Sequence, residues 1–391
     1  MTILLLVIIY AVFISLGLPD GLLGSAWPAI RESLGVPLEF GGYITLVVTV
    51  MTILSSLATS FLVRKMGVGL LLTASTALTV LSLFGFSQTS QVAMLFLLAI
   101  PLGLGAGAID SALNNYVAKQ YGPHHMNWLH AFWGVGATLG PIIFAGSLLA
   151  TNDWHSGYAN LGFIQLSIVV LLLLSLPLWK VAKVKKSPLH IFKKTSGITY
   201  ASLLKEYKVR YTFVLFLLYT GIEVGVGLWL ASYLVAIQGL SPGSASLWAG
   251  LYYGAITVGR LLAGFVSFKF SETQMIRAGL LLGLLGVVLL ALGISPAFSI
   301  AGIALLGLGF APIYPGLIHI TPARFGGEKS PRVMSLQMVG GYIGASIIPP
   351  AIGLLSGAIN LHAFIVTTVL VLVGVFVFTE ILNKRAPVRR T

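Results

Sequence analysis

Cysteine is absent from the chain. Disulfides, thiolate nucleophiles and cysteine metal sites are excluded with it. Charge is scarce as well: Asp, Glu, Lys and Arg make up 8% of the 391 residues, where a soluble domain carries roughly 25%. No Gly-rich loop ends in Gly-Lys-Ser/Thr, and no His/carboxylate cluster has metal-ligand spacing. Neither a metal nor another cofactor is expected. No combination of nucleophile, base and oxyanion donors supports an enzyme. No soluble stretch is large enough for a nucleotide-hydrolysing domain, so any work must be driven by a gradient or a partner protein.

What is present is apolar. Hydrophobic residues are 57% of the chain, and they fall into runs long enough to span a bilayer, which takes about 20 residues each. Twelve spans are expected, near 3–30, 38–62, 68–87, 91–118, 127–150, 159–179, 211–237, 244–268, 274–294, 297–321, 332–357 and 361–382. Barrel strands would read as shorter alternating segments. The fold class is therefore an all-α polytopic membrane protein with twelve transmembrane helices. "MTILLLVIIYAVFISLG" lacks the basic n-region of a signal peptide and reads as the retained first span.

The net charge of +13 does not indicate a nucleic-acid partner, because the basic residues are sorted by side. Arg64, Lys65, Lys119, Lys269, Arg277, Arg324, Lys329 and Arg332 fall in even-numbered loops, with Lys384, Arg385, Arg389 and Arg390 in the tail. "KVAKVKKSPLHIFKK" adds more between spans six and seven, while the opposite loops hold almost only Arg31. The positive-inside rule then puts both termini and the central loop in the cytoplasm, as expected for a multi-pass protein of the cell (inner) membrane. Anionic lipid headgroups are the natural partner of the basic rim.

The polar stretch 180–209 divides the chain into residues 1–179, a basic linker, and 210–391 with a short basic tail. The two parts resemble each other. "GLGAGAID" leads to "GVGATLGP" in the first, and "GLGFAPIY" leads to "GYIGASIIPP" in the second, with Tyr314 falling where Asp110 stands. Two pseudo-symmetric six-helix bundles around a substrate site are a transporter architecture. Gly103, Gly107, Asp110 and Asn114 share one helical face. Close helix packing accounts for the glycines there, but not for the aspartate.

Of ten acidic residues, seven lie in loops or near span ends, and three lie deeper inside spans: Asp20, Asp110 and Glu223. An ionised Asp at mid-membrane costs roughly 2.5–3.5 kcal/mol. A carboxyl group that is cheaper to bury neutral is a natural proton carrier; the plainer alternative is permanent pairing with a cation. Arg260 is the one plausible intramembrane cation, and one arginine cannot pair with three acids.

"GLPDGLL", "GAIDSALNNYV", "NWLHAFWGVGA" and "YTGIEVGVGLWLASYL" resemble the fucose–proton symporter family of the major facilitator superfamily, over nearly the whole chain. The resemblance implies that Asp20 and Asp110 carry proton coupling and sugar binding, with Asn114 one turn after Asp110. The chain departs from the family pattern in Asn115, where a proline is common, and in His130 and Trp133, where sugar-binding members tend to have Gln and Asn.

Sugars are held by polar groups around their hydroxyls and by aromatic faces. The substrate-binding candidates are Asn114, Asn115, His130, Glu223 and Gln337 for hydrogen bonds, and Trp133, Tyr219, Trp229, Tyr252 and Tyr314 for rings. Trp229 is the weakest, about 240° around an ideal helix from Glu223. His319 reads equally as a site residue or as a packed, hydrogen-bonded histidine, and His124 and His125 are expected to be solvated. The leading expectation is a monomeric, proton-coupled symporter of a sugar or similar small polar solute. Proton-coupled efflux of amphipathic compounds or lipids is the alternative, and a non-transporting sugar receptor the alternative of another class.

Overall fold

The computed structural model describes residues 2–121, 123–181, 199–326 and 328–385. Most of the expected basic linker and the end of the tail lie outside the described residues. Every described element is a helix: α1 (Thr2–Asp20), α2 (Leu22–Leu34), α3 (Phe40–Met66), α4 (Val68–Phe86), α5 (Val92–Gln120), α6 (Pro123–Thr151), α7 (Trp154–Val181), α8 (Tyr200–Lys205), α9 (Tyr207–Gln238), α10 (Pro242–Val266), α11 (Glu272–Leu292), α12 (Pro296–Phe310), α13 (Ile313–His319), α14 (Thr321–Phe325), α15 (Ser330–Ala358) and α16 (His362–Arg385). Helices dominate because a chain in lipid must satisfy its own backbone polar groups.

All twelve expected spans are present among the described residues, from Ile3–Leu34 to His362–Arg385, with ends that differ by a few residues. Two are interrupted. The first breaks at Gly21, between α1 and α2, directly after Pro19 and Asp20. A Cβ on Gly21 would come within 2.6 Å of the Tyr253 ring, so the close approach requires glycine. The tenth breaks at Ala311 and Pro312, between α12 and α13. Within the expected linker, α8 is a short helix whose Thr199 cap accepts a hydrogen bond from the Ser202 backbone.

The described chain forms two compact units, with boundaries inside α9 and α10. One comprises residues up to 181 together with Leu230–Tyr253; the other comprises residues 199–229 and 254–385. In the first unit, α1 lies on α6 and α5 lies between α3 and α4. Their backbones meet through small residues. Gly136 faces the Ile14 carbonyl, and Gly103 and Gly107 face the Val48 and Thr52 carbonyls. Ser55 and Ser56 of α3 donate to the Leu104 and Gly107 carbonyls of α5. The glycines before Asp110 therefore serve close packing and fix the depth of that aspartate against α3. Apolar residues of α1, α4, α5 and α7, including Ile9, Phe13, Leu72, Ile109, Leu113 and Leu172, form the core beneath it.

The second unit uses the same device. Gly286 of α11 meets Gly302 of α12, and Gly279 meets Gly309. Gly344 of α15 faces the Leu217 carbonyl of α9. Leu203, Val209 and Val333 pack together where α8 meets α9 and α15, beside a Lys329–Glu206 ion pair of 2.6 Å.

Candidate functional site

Asp20 occupies the last position of α1, where Pro19 and Gly21 interrupt the span. Its side chain is exposed, and its Oδ2 accepts a 2.6 Å hydrogen bond from Trp133 Nε1 on α6. Asp110 lies in the middle of α5 and is half-buried. Its Oδ1 accepts from Asn114 Nδ2 at 2.8 Å, and the same amide donates to the Asp110 backbone carbonyl at 2.9 Å. The i, i+4 spacing that places the two on one face also produces this bond. Asp20 and Asp110 come from different helices of the same unit.

The remaining candidates of this unit are spread around the pair. His130 is exposed one turn before Trp133 and meets Phe13 edge-on at 5.8 Å. Asn115 is exposed. Tyr252 is fully buried against Tyr253, with ring centroids 5.2 Å apart. His125 is not simply solvated: it is half-buried, and its Nδ1 shares a 2.7 Å hydrogen bond with Tyr10. The His124 side chain lies outside the described residues.

In the second unit, Glu223 of α9 pairs with Arg260 of α10, Oε1 to Nη2, at 3.0 Å. The sequence singled out both residues but not their pairing. The hydroxyl of buried Tyr219 donates to the Phe310 carbonyl at 2.8 Å. Trp229 Nε1 donates to the Pro349 carbonyl at 2.8 Å from a fully buried position. Gln337 is buried and exchanges hydrogen bonds with Thr321 at 3.0 and 3.1 Å. The polar atoms of these three side chains are thus engaged by the protein, and a ligand would have to displace a partner to use them. Tyr314 is half-buried, its ring edge-on to Phe216 at 5.5 Å and its hydroxyl 2.9 Å from Met338 Sδ. His319 is paired but not packed: its side chain is 77% exposed, and Nδ1 pairs with Glu272 at 2.7 Å.

Among the described residues, no group of three or more His, Asp or Glu could hold a metal ion. A cavity of about 430 Å³ is lined by Pro28, Arg31, Glu32, Val36, Ser232 and Val235, among others, but by none of the expected site residues.

The family profile described as "Major Facilitator Superfamily" matches residues 8–292 and 211–390, which together span nearly the whole chain. The chain belongs to the Major Facilitator Superfamily. It is a multi-pass membrane transporter of small molecules rather than an enzyme. The "Probable nitrate transporter NarT" of Staphylococcus haemolyticus is 23% identical over 80% of this chain and 79% of its own length. The "Cis,cis-muconate transport protein" of Acinetobacter baylyi is 24% identical over 71% of this chain and 69% of its own. "Bypass of stop codon protein 6" of Saccharomyces cerevisiae is 24% identical, and the match spans 67% of this chain but only 56% of that longer protein. Among solved structures, nucleoside transporter NupG superposes with a TM-score of 0.75 at 11% identity, covering 96% of this chain and 98% of its own. A D-xylose-proton symporter superposes with a TM-score of 0.68 at 14% identity, covering 96% and 97%. At these identities the structural likeness speaks for the fold alone.

Proposed function

We propose that the protein is a secondary active transporter that carries a sugar or similar small polar solute together with protons, by alternating access of two six-span halves. Its place is the cell membrane, as a monomer with both termini in the cytoplasm and its basic rim against anionic lipid. The observation that carries the reading is how the two carboxylates of the first unit are held. Among the described residues neither Asp20 nor Asp110 is in a salt bridge; each is tethered by a neutral donor, Trp133 or Asn114. A carboxylate without a cation can take a proton and leave no stranded positive charge behind.

The named solutes of the relatives, nitrate and cis,cis-muconate, support a small polar cargo over an amphipathic one. A proton crossing the membrane potential gains roughly 2.3 kcal/mol per 100 mV, enough to concentrate a neutral solute about 50-fold. The test is uptake into proteoliposomes with and without an imposed pH gradient, across sugars, sugar acids and amphipathic compounds. Accumulation of a polar solute only with the gradient supports the reading. Gradient-driven movement of amphipathic compounds alone would replace it with the efflux alternative. Reporter fusions at residue 195 and at the C-terminus test the orientation, and either one outside would overturn it.

A further inference from the structure

The chain has ten acidic side chains, and all of them lie within the described residues. None pairs with Arg324 of α14. Its Nη2 donates to Asn383 Oδ1 of α16 at 2.7 Å, and its Nε is enclosed without a partner. Burial pulls the guanidinium down to about 10, so it keeps its charge at neutral pH. The acid that Asn383 touches is already taken. Asn383 Nδ2 reaches Glu380 Oε1 at 3.4 Å, but Arg277 of α11 holds both Glu380 oxygens, at 2.6 and 2.7 Å. Glu328, four residues after Arg324, is exposed and in no ion pair. Two arginines are thus linked, directly or through Asn383, to one carboxylate. A half-buried cation is left without an anion, which is costly.

Further cations follow. Lys384 and Arg385 come directly after Asn383 in the last turn of α16, and both are exposed. The C-terminal carbonyls of α16 account for these two, but not for Arg324. Toward the middle of the spans the exposed side chains are apolar. Leu281, Leu285 and Val288 follow Arg277 along one face of α11. Leu370, Val373 and Val377 lead along one face of α16 to Glu380 and Lys384. The two helices pack together, and their exposed rows end at the Arg277–Glu380 pair. A cation in want of an anion, at the end of an apolar lane along two spans, matches a molecule with an anionic headgroup and acyl chains.

We infer that Arg324, Lys384 and Arg385 hold the phosphate of an anionic phospholipid whose acyl chains lie along α11 and α16. That phosphate is the counter-ion Arg324 lacks, and phosphate oxygens suit a guanidinium fork. The inference rests on the reading of the basic rim against anionic lipid. It narrows that contact to one place and makes the lipid a stabilising ligand of the second unit.

Titration of the full-length protein in detergent with phosphatidylglycerol, read by thermal unfolding, tests this, because a ligand of the native state raises the unfolding temperature. Phosphatidylcholine controls for acyl chains alone and inorganic phosphate for a soluble anion. Phosphatidylglycerol should stabilise wild type well beyond either. Arg324→Gln should need at least about fivefold more of it for the same rise, the usual worth of one cation at a membrane surface. Lys384→Gln/Arg385→Gln changes only exposed side chains, so it gives the same readout without disturbing packing, and it should show a loss of similar size. Lys269→Gln, which removes an exposed cation from another loop, should respond like wild type. The inference is overturned if phosphatidylcholine or inorganic phosphate stabilises as well as phosphatidylglycerol. It is equally overturned if Arg324→Gln or Lys384→Gln/Arg385→Gln responds like wild type, or if Lys269→Gln loses as much as they do. The titration involves neither gradient nor solute, so its failure leaves the transport reading standing, and a failed transport assay leaves the lipid site standing.

Discussion

The two compact units hold their intramembrane acids in different ways. In the first, Asp20 and Asp110 accept hydrogen bonds from an indole and a carboxamide, 2.6 and 2.8 Å long, and have no cationic partner among the described residues. In the second, Glu223 sits 3.0 Å from a guanidinium. The difference matters because a neutral donor leaves a carboxyl group able to change charge alone. An arginine partner ties any change of charge to the fate of the arginine. The first arrangement suits proton traffic. The second suits a fixed strut.

The comparison can be broken most readily at the ion pair. Removing one member should be severe, because it leaves the other charge uncompensated. Arg260→Gln should lower stability by about 3–5 kcal/mol, whereas Glu223→Gln/Arg260→Gln should recover most of it. Thermal unfolding of the purified variants reads both. Near-equal losses for the single and double variants would show that the guanidinium matters through packing rather than charge.

The tether in the first unit should be weaker. A hydrogen bond to a charged group contributes roughly 1.5–3 kcal/mol, and the Asp20 side chain is exposed, which favours the low end. A double-mutant cycle of Trp133→Phe and Asp20→Asn should therefore give a coupling of about 1.5 kcal/mol. Coupling near zero would mean that water replaces the indole without loss.

The smallest effect is expected outside the spans, at Asp153. Burial opposes its ionisation, but hydrogen bonds from the His155 ring, at 2.6 Å, and the His155 backbone N–H, at 3.0 Å, outweigh this and hold the carboxyl below the usual carboxylate range. A depressed pKa in the folded state stabilises above the unfolded value, near pH 4, and that contribution is lost as pH falls through the folded value. Asp153→Asn should lower the unfolding temperature slightly at neutral pH, corresponding to about 0–1 kcal/mol for so exposed a pair. The difference should vanish in strong acid. A difference that grows on acidification would reverse the assigned sign.

The fold was largely legible because hydropathy and length decide which segments span a bilayer, and these depend on composition rather than on partners. The interruptions at Gly21 and at Ala311–Pro312 were marked by Pro19 and Pro312, but an apolar run looks continuous to a hydropathy reading whether or not its helix is broken. Asp20 and Asp110 stood out for the same reason as the spans: a carboxyl group among leucines and glycines is conspicuous. Their tethers were less legible. Asn114 follows Asp110 at helical spacing, but the indole of Trp133 reaches Asp20 across 113 positions, which no local pattern reports. Tyr219, Trp229 and Gln337 show the opposite limit. A polar tip on a buried side chain can meet a ligand or a protein partner, and only the structure places Phe310, Pro349 and Thr321 opposite these three.

The central claim is that the carboxyl groups of the first unit, not the ion pair of the second, move the coupling proton. Asp20→Asn and Asp110→Asn measure it most directly, in proteoliposomes, by gradient-driven accumulation alongside counterflow exchange without a gradient. Both variants should lose accumulation, and at least one should keep counterflow, because an amide mimics the protonated acid yet cannot release a proton. If both variants accumulate solute like the parent, the two aspartates are structural and the claim is contradicted.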